Sequence, residues 1–355
     1  MKEPKVAVLV LTTNEKKFLK EILSSLFRQT YKNLEIYVLD NNSTDGSIEE
    51  IQSLKFKVQS CSLKLKVIRY KSNLGYAKGN NIGLKKAFEE GAEFCLVLNC
   101  DTILKKNTVA ELVRSYLEKK EKNIPVGLIQ PLILLAHDKK RINTVGNAIH
   151  YLGFGYCSDF LKKYRPLKKD KEIISVSGAA MFLSKNFYEK VGGFDEDFFM
   201  TAEDQDLSWR GYLAGYHHFL AGRAVIFHHY QFGRHRLNKF REEKNRLLIL
   251  LKNYSTKSLV FLAPILVINE LAILIYSLFE GWLFLKIKSY FLILKNLKNI
   301  LRKRKIIQKQ RVVADKILFA KFKSAIYFKP LDNFFIRYLA NPLYQLYYQL
   351  VKIFI

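Results

Sequence analysis

The sequence has little cysteine and no cysteine pair spaced to bind zinc. Its four cysteines, Cys61, Cys95, Cys100 and Cys157, form no CxxC motif. Such usage is typical of a reducing, cytosolic compartment. The opening residues MKEPK, followed by VAVLVLTT before Asn14, are too short and too quickly polar for a signal peptide. We therefore expect the N-terminal part of the protein to remain in the cytoplasm.

Several signatures of other nucleotide-binding classes are missing. No GxGxxG follows the first apolar run, where LTTN stands, so a nicotinamide-linked dehydrogenase is disfavoured. No RNA-recognition motif with stacking aromatics is present. Internal repeats and low-complexity linkers are also lacking.

Acidic residues are scarce relative to basic ones. The chain has 59 Lys and Arg against 32 Asp and Glu, a formal charge of +27. This imbalance favours a polyanionic partner: nucleic acid, anionic lipid or a phosphate-bearing substrate. Residues 258–355 hold 16 of the basic residues and 4 of the acidic ones, and they are also the most apolar part of the chain. Basic and apolar character together favour a membrane surface over nucleic acid.

The first third of the 355 residues alternates strand and helix patterns. The apolar run 6–12 is typical of a strand buried on both faces, and further strands are predicted over 34–39, 65–70 and 94–98. Helical spacing follows the first strand, and a helix is predicted over about 79–90. This order predicts an α/β fold with a mostly parallel, doubly wound sheet.

Polar side chains stand where three of these strands end. The clusters are Thr12-Thr13-Asn14, Asp40-Asn41-Asn42 and Asn99-Cys100-Asp101. In such sheets ligands bind beyond the carboxyl ends of the strands. Asp101 is the best candidate to hold Mg²⁺ or Mn²⁺ against a diphosphate, although it can instead cap a helix. Asp40 suits a base or ribose contact, or else an Asx-turn.

Other motifs leave a structural and a functional interpretation open. The segment 73–81, NLGYAKGNN, places glycines and donors at a helix entrance. In TAEDQD, 201–206, a carboxylate can serve as a general base, but Thr201 and Asp204 have capping-box spacing and Asp206 can pair with Arg210. His228 and His229 follow a short strand predicted over 224–227, with His235 further on. One imidazole with Asp101 and a diphosphate can form a cation site.

Taken together, these segments resemble glycosyltransferase family 2, the inverting enzymes of GT-A fold, and within it the rhamnosyltransferase-like members. The matching pieces cover about residues 5–252 in the family's order. They are VAVLVLTTNEKKFLKEILSSLFRQTYKNLEIYVLDNNSTDGS, NLGYAKGNNIG, VLNCD, SGAAMFLSKNFYEKVGGFDEDFFMTAEDQDLSWRGYLAGY, VIFHH and KNRLLILLKN. The first acidic position of the family's DxD motif is Asn99 here, and Cys100 follows it, so one fewer carboxylate is available to a metal.

The resemblance implies a role for each matched position. Four residues are expected to contact the nucleotide: Thr12, Asn14, Asp40 and Asn73. Asn99 is expected near the ribose and phosphate, and Gly178 and Ala179 beside the donor sugar. Asp101 is implied as a ligand of a divalent cation, Mg²⁺ or Mn²⁺, with His228 as a second contact. Asp204 is implied as the catalytic base.

The implied reaction is a single displacement with inversion. A nucleoside-diphosphate sugar is the expected donor, and a glycan or lipid-linked molecule is the expected acceptor, in surface polysaccharide biosynthesis. Rhamnose on a thymidine nucleotide is the family-weighted donor. The alternative is a basic nucleotide- or nucleic-acid-binding protein without transferase activity, although no nucleic-acid partner is expected.

The C-terminal part is expected to hold the protein on a membrane. We predict a GT-A catalytic domain over 1–252 and a basic, apolar, helical tail over 253–355. Residues 258–285 are almost wholly apolar but include Glu270 and Glu280, and a carboxylate at the centre of a spanning helix is unfavourable. Glu270, Ser277, Lys288 and Lys295 fall near one helical face. This pattern favours helices that lie in the interface on the cytoplasmic face of the cell membrane.

Overall fold

The computed structural model describes residues 3–58, 64–231 and 236–355, with the side chains of 55–58 and 236–238 excepted. Cys61 and His235 lie outside the described residues. The chain divides into two compact units. The first comprises Met1–Asn147, Cys157–Gly211 and Tyr216–Tyr230, and the second Ala148–Tyr156, Tyr212–Gly215 and Gln231–Ile355.

The first unit is built on a ten-stranded mixed sheet. Its strands are β1 (Val6–Thr12), β2 (Leu34–Asp40), β3 (Lys64–Arg69), β4 (Phe94–Asn99), β5 (Thr102–Leu104), β6 (Val126–Leu135), β7 (Ile142–Thr144), β10 (Lys171–Ile173), β11 (Ala180–Ser184) and β12 (His217–His228). A separate two-stranded sheet pairs β8 (Asn147–Ile149) with β9 (Gly155–Cys157).

The sheet is parallel on one side and mixed on the other. Along its main path the order is β10-β12-β6-β11-β4-β1-β2-β3, with β5 beside β12 and β7 beside β6. Strands β4, β1, β2 and β3 run parallel, whereas β11 is antiparallel to both of its neighbours. All seven residues of β1 and all seven of β2 are buried. The unbroken apolar run of β1 predicts this burial, whereas β2 also buries Glu35 and Asp40.

Helices cover the faces of this sheet. They are α1 (Lys16–Phe27), α2 (Ser47–Val58), α3 (Gly75–Glu89), α4 (Thr108–Glu121), α5 (Lys185–Val191) and α6 (Glu203–Leu213), with a 3₁₀ turn at Glu196–Phe198. Helix α1 buries Leu19, Ile22, Leu23 and Leu26, the face that its helical spacing predicts. Ser184 caps α5, since its side chain accepts a hydrogen bond from the Phe187 N–H.

The mixed sheet confirms the predicted α/β class and its mostly parallel core. Strand β1 has the predicted bounds, and β2, β3 and β4 each lie within one residue of theirs. Helix α3 begins at Gly75, four residues before the predicted start, because Gly75 adopts φ +76° and turns the chain directly into the helix. The last strand, β12, is longer than predicted.

The second unit is mainly helical. Its helices are α7 (Arg236–Asn253), α8 (Thr256–Phe279), α9 (Leu283–Lys295), α10 (Leu297–Gln310), α11 (Asp315–Phe319) and α12 (Asn341–Val351), with a 3₁₀ turn at Lys329–Leu331 and a π-helical turn at Ile336–Ala340. The predicted boundary at 252/253 falls at the end of α7, and α7 itself packs with α9 and α10.

Candidate active site

The carboxyl ends of three parallel strands bring the predicted nucleotide contacts to one edge of the sheet. Strand register places Thr12 opposite Asp40, and Leu11 opposite Asn99. The backbone N–H of Asn41 donates to the Thr12 carbonyl at 2.9 Å, which joins the two loops as they leave the sheet. The three strand-end clusters therefore form one continuous polar edge, as the sequence predicts.

Asn14 joins these two loops, and Asp40 fixes the turn of its own loop. Asn14 adopts φ +56°, donates its N–H to the Ser43 hydroxyl at 3.0 Å, and accepts the Thr44 N–H on its side chain at 2.7 Å. Asp40 accepts the Ser43 N–H on Oδ1 at 3.1 Å. Its buried Oδ2 lies 3.5 Å from Nε of Arg69, within ion-pair distance, but accepts no hydrogen bond from any described residue. Asp40 therefore serves a turn and still has an acceptor for a ligand.

Asn73 shapes the entrance to α3. Its side-chain oxygen accepts hydrogen bonds from the Asn41 amide and from the Gly75 N–H, both at 2.9 Å. A Cβ atom at Gly75 would lie 2.5 Å from the Phe199 carbonyl oxygen, so only glycine fits this approach. Asn73 thus links the second strand-end loop to the helix that follows the third strand.

Asp101 and His228 form the candidate cation site. Nε2 of His228 lies 3.2 Å from Oδ1 of Asp101, yet this buried carboxylate oxygen accepts no hydrogen bond within the described chain. The other ring nitrogen, Nδ1, lies 2.9 Å from the side-chain oxygen of Asn143. An amide oxygen only accepts, so Nδ1 carries a proton, and in the neutral imidazole the Nε2 lone pair faces the carboxylate. Two acceptors that face each other in this way fit a shared cation.

The two protein ligands leave most of a cation's coordination sphere open. In the part of the chain that the structure describes, no group of three or more His, Cys, Asp or Glu side chains is arranged to hold a metal. Mg²⁺ and Mn²⁺ sites commonly combine one or two protein ligands with phosphate oxygens and water. Asp101 and His228 therefore fit a cation that a diphosphate ligand completes.

Asn143 and Glu15 belong to this region but carry no sequence motif. Asn143, at the centre of β7, is almost wholly buried and fixes the tautomer of His228. Glu15 precedes α1, and burial together with the charge of Asp101 raises the pKa of its carboxyl to about 7. Neither residue was predicted, because an asparagine within a short strand and a glutamate before a helix belong to no recognisable motif.

Asp204 is held by two backbone donors, one of which belongs to the predicted sugar contact Gly178. Its Oδ2 accepts the Gly178 N–H at 2.8 Å, and its Oδ1 accepts the Gln205 N–H at 2.7 Å. The Gly178 carbonyl in turn accepts the Tyr76 hydroxyl at 2.6 Å, a contact that the sequence does not predict. The next residue, Ala179, accepts the Asn99 N–H on its carbonyl at 3.1 Å. Asp204 is thereby joined through this loop to the strand end that precedes Asp101.

The backbone before Asp204 is strained. Phe199, Thr201 and Ala202 all have positive φ angles, 62°, 69° and 64°, although none is glycine. Left-handed conformations of this kind cost about 1–3 kcal/mol each and cluster at functional sites. The Phe199 carbonyl also accepts the Ala77 N–H at 3.1 Å, which ties the strained turn to α3.

The three acidic residues at the start of α6 lie in different surroundings. Asp206 accepts from Nε of Arg210 at 2.8 Å, which confirms the predicted pair. Glu203 is buried, and burial together with the charge of Asp204 raises the pKa of its carboxyl to about 8. Burial also raises the pKa of Asp204, although its backbone donors oppose that shift. Of the two neighbours, Asp204 is the better stabilised as an anion.

These features combine an α/β fold with a polar edge at the strand ends, a candidate cation site and a buried carboxylate. The chain belongs to glycosyl transferase family 2, since the model of that family matches residues 7–192. The shared fold is the α/β arrangement of GT-A enzymes, so the predicted family and fold are confirmed.

Relatives match over parts of their length. An uncharacterized glycosyltransferase of Haemophilus influenzae is 31% identical over 131 residues, 37% of this chain and 38% of the relative. The Staphylococcus aureus poly(ribitol-phosphate) beta-N-acetylglucosaminyltransferase TarS is 34% identical over 110 residues, 30% of this chain and 18% of TarS. The match thus spans less than two-fifths of the length of either relative.

One solved structure is similar along almost the whole chain. The mannosyltransferase PcManGT of Pyrobaculum calidifontis, in complex with GDP-Man and Mn²⁺, superposes with a TM-score of 0.52 at 16% identity. The superposition covers 99% of this chain and 88% of PcManGT. At this identity the likeness concerns the fold.

Proposed function

We propose that this protein is an inverting glycosyltransferase that moves a sugar from a nucleoside-diphosphate sugar to a glycan or lipid-linked acceptor in surface polysaccharide biosynthesis. One observation carries the proposal. The loop at Gly178 and Ala179 binds the Asp204 carboxylate on one side and the strand end at Asn99 on the other. A general base and a leaving-group site are the two parts that sugar transfer needs close together.

The nucleotide would lie along the strand-end edge. The free acceptor of Asp40 suits the donor groups of a base or ribose, and Thr12 and Asn14 border the same loops. Asn73 lies on the neighbouring loop, joined to Asn41. These residues orient the donor so that its diphosphate meets the end of β4, where Asn99 lies.

Asp101 and His228 would hold a divalent cation. When bound, the cation neutralises charge on the leaving nucleoside diphosphate. Asn143 keeps the proton of His228 on Nδ1, so that Nε2 stays available as a ligand. An imidazole ligand favours Mn²⁺ over Mg²⁺, which prefers oxygen ligands alone.

Asp204 would act as the catalytic base. Two backbone N–H groups stabilise its carboxylate, whereas Glu203, buried beside it, retains the proton. The acceptor hydroxyl gives its proton to Asp204 as its oxygen forms a bond to the anomeric carbon. The bond from that carbon to the diphosphate oxygen breaks, and the configuration at the carbon inverts.

The proposed donor sugar and acceptor follow from the family resemblance. A hexose or deoxyhexose, rhamnose on a thymidine nucleotide among them, suits the rhamnosyltransferase-like motifs. TarS, by its name, transfers N-acetylglucosamine to poly(ribitol-phosphate), which supports a polymeric acceptor for this protein.

A panel of nucleotide sugars incubated with the full chain tests the proposal. We expect slow, Mn²⁺-dependent hydrolysis of one donor, with the released sugar in the anomeric configuration opposite to that of the donor. Nuclear magnetic resonance of the first product formed reads that configuration. Retention would exclude the single displacement, and nucleotide binding without any turnover of the panel or transfer to an acceptor would favour a binding protein.

A further inference from the structure

Helix α8 in the second unit carries its polar side chains inward and its apolar side chains outward. Asn269 and Ser277 are buried, and the Glu270 side chain is only 17% exposed. The large side chains exposed between residues 260 and 279 are Val260, Val267, Ile268, Leu271, Ile275, Tyr276, Leu278 and Phe279. A helix that faces water shows the opposite distribution. The surroundings of this outer face are therefore apolar.

Glu270 is neutralised inside the unit. Its carboxylate pairs with Arg246 of α7, and it lies 2.7 Å from both Nζ of Lys286 and the Tyr290 hydroxyl on α9. Glu243 contacts the same two cations, at 2.9 Å from Arg246 and 2.6 Å from Lys286. Two acids and two bases thus form a buried cluster without net charge. The Glu270 carboxylate places no charge on the outer face of α8.

Helix α9 shows the same inversion. Lys286 and Ser289 are fully buried, while Phe284, Ile287, Phe291 and Leu294 are exposed. The exposed set also includes Lys288 and Lys295. We call the outer apolar residues of α8 and α9, those listed here and above, the α8–α9 face. Basic side chains within and beside this face match the headgroups of anionic lipids.

The periodicity of the sequence placed Glu270 and Ser277 on one face with Lys288 and Lys295, and this prediction is wrong. A turn at 280–282 ends α8 at Phe279 and starts α9 at Leu283, so the helical phase is lost between the two pairs. Glu270 and Ser277 point inward as a result, and only the two lysines are exposed.

Helix α8 is long and apolar enough to cross a membrane, but its partner helix opposes a crossing. It has 24 residues, and its most apolar stretch of 18 residues has a mean hydropathy of 2.4. Helix α7 runs back along it, since Lys239 near the start of α7 lies 3.2 Å from Glu280 and Arg246 pairs with Glu270. If α8 crossed the bilayer, the charged residues 241–244 of α7 would enter the hydrocarbon with it, which is strongly unfavourable.

We propose that the α8–α9 face lies in the interfacial layer of an anionic bilayer, with α8 parallel to the membrane plane. The exposed face is apolar and bordered by lysine, the composition of helices that lie on membranes. Residues 258–355 carry 16 basic and 4 acidic residues, which complements anionic headgroups. The core of a protein interface is instead depleted of lysine. This proposal does not depend on the reaction that the first unit performs.

Vesicle sedimentation of the full chain tests the docking. We expect the protein to pellet with vesicles of phosphatidylcholine and phosphatidylglycerol and to bind vesicles of phosphatidylcholine alone at least about tenfold more weakly. The double variant Leu271→Glu/Ile275→Glu should reduce the partition coefficient at least about tenfold. Leu117→Glu, at an exposed site on α4 of the first unit, is the matched control and should bind like the parent.

The depth of single tryptophans tests the orientation. Val260→Trp, Leu271→Trp and Phe279→Trp sample the start, middle and end of α8 at exposed positions. With lipids brominated at shallow or deep acyl positions, in-plane docking predicts shallow quenching at all three sites, after subtraction of the parent signal. Deep quenching confined to Leu271→Trp would show a spanning helix and overturn the proposal. So would a parent that ignores vesicles and forms a dimer that Leu271→Glu dissociates.

Discussion

Nε2 of His228 lies 3.2 Å from Oδ1 of Asp101, and the hydrogen bond from Nδ1 to Asn143 places the proton of a neutral imidazole on Nδ1 rather than on Nε2. In an unliganded protein this places two electron pairs face to face. The arrangement becomes favourable when a cation lies between them, or when the imidazole takes up a second proton. Asn143 thus selects the tautomer of His228 that we propose binds the cation.

Removal of either ligand should weaken metal-dependent nucleotide binding. We expect Asp101→Ala and His228→Ala to abolish the gain in affinity for UDP or dTDP that Mn²⁺ gives the parent. Asn143→Ala should lower Mn²⁺ affinity by about 10- to 100-fold, as loss of a partner behind a metal ligand usually does. Isothermal titration with and without Mn²⁺ measures all three variants, and the preferred base reports on the site at Asp40.

His229→Ala is the matched control for the metal site. Nε2 of His229 instead lies 3.0 Å from a carboxylate oxygen of Glu21. It should therefore retain the parent's Mn²⁺ response. If His229→Ala lost that response while His228→Ala kept it, the cation would bind elsewhere than between His228 and Asp101.

Asp204→Asn should separate catalysis from donor binding. An amide cannot take the acceptor's proton, so we expect transfer to fall by about 10²- to 10⁴-fold. The amide also accepts at only one of its two atoms, so one of the N–H groups of Gly178 and Gln205 loses its partner, at about 1–3 kcal/mol. Initial rates and urea unfolding measure the two effects, and donor affinity should stay close to that of the parent.

Glu189→Gln is the control for this change, because Glu189 is an exposed carboxylate on α5. It should leave the transfer rate unaltered. A parent-like rate for Asp204→Asn would assign Asp204 a purely structural role at the start of α6.

Gly75→Ala should lower the free energy of unfolding more than Gly91→Ala, because only at Gly75 would the added Cβ atom contact a neighbouring residue. Both glycines have positive φ, so alanine costs about 1–2 kcal/mol of backbone strain at either site. A Cβ atom at Gly91 meets nothing within 4 Å, whereas at Gly75 it lies 2.5 Å from the Phe199 carbonyl oxygen. We expect Gly75→Ala to lose about 1–3 kcal/mol more in urea unfolding. It should also slow transfer, because Phe199 begins the strained turn before Asp204.

The parallel half of the sheet could be predicted from the sequence because its strands are rich in apolar residues, and β1 is an unbroken apolar run up to Thr12. Strand β1 is 0–8% exposed along its six apolar residues, and the polar residue that ends it, Thr12, opens the site. The mixed half gives a weaker pattern. Strand β12 contains Gly222 and Arg223, shifts register between Ala221 and Val225, and was predicted as a short strand only.

Contacts between distant segments account for what the sequence did not predict at the site. The bond from Asp204 to Gly178 spans 26 positions, and that from His228 to Asn143 spans 85. The spacing of residues along the sequence does not predict such contacts, because the order of strands in the sheet, which brings these residues together, depends on the whole fold. The capping-box spacing at Thr201 likewise did not predict the run of positive φ angles there.

Glu203→Gln should change how stability depends on pH. Burial and the charge of Asp204 raise the pKa of Glu203 from 4.5 to about 8, and its Oε2 has no hydrogen-bond partner among the described residues. Between these two values the folded protein holds a proton that the unfolded chain has released. The free energy of unfolding therefore falls as pH rises through this window, by at most about 1.4 kcal/mol per pH unit for one group.

The glutamine variant lacks this proton, so its urea midpoint should match the parent's near pH 5 and exceed it increasingly toward pH 8. The contribution of Glu15, whose pKa is also raised, is common to both proteins and cancels in the difference. Parallel pH profiles for parent and variant would mean that Glu203 ionises normally and that the proton resides on Asp204.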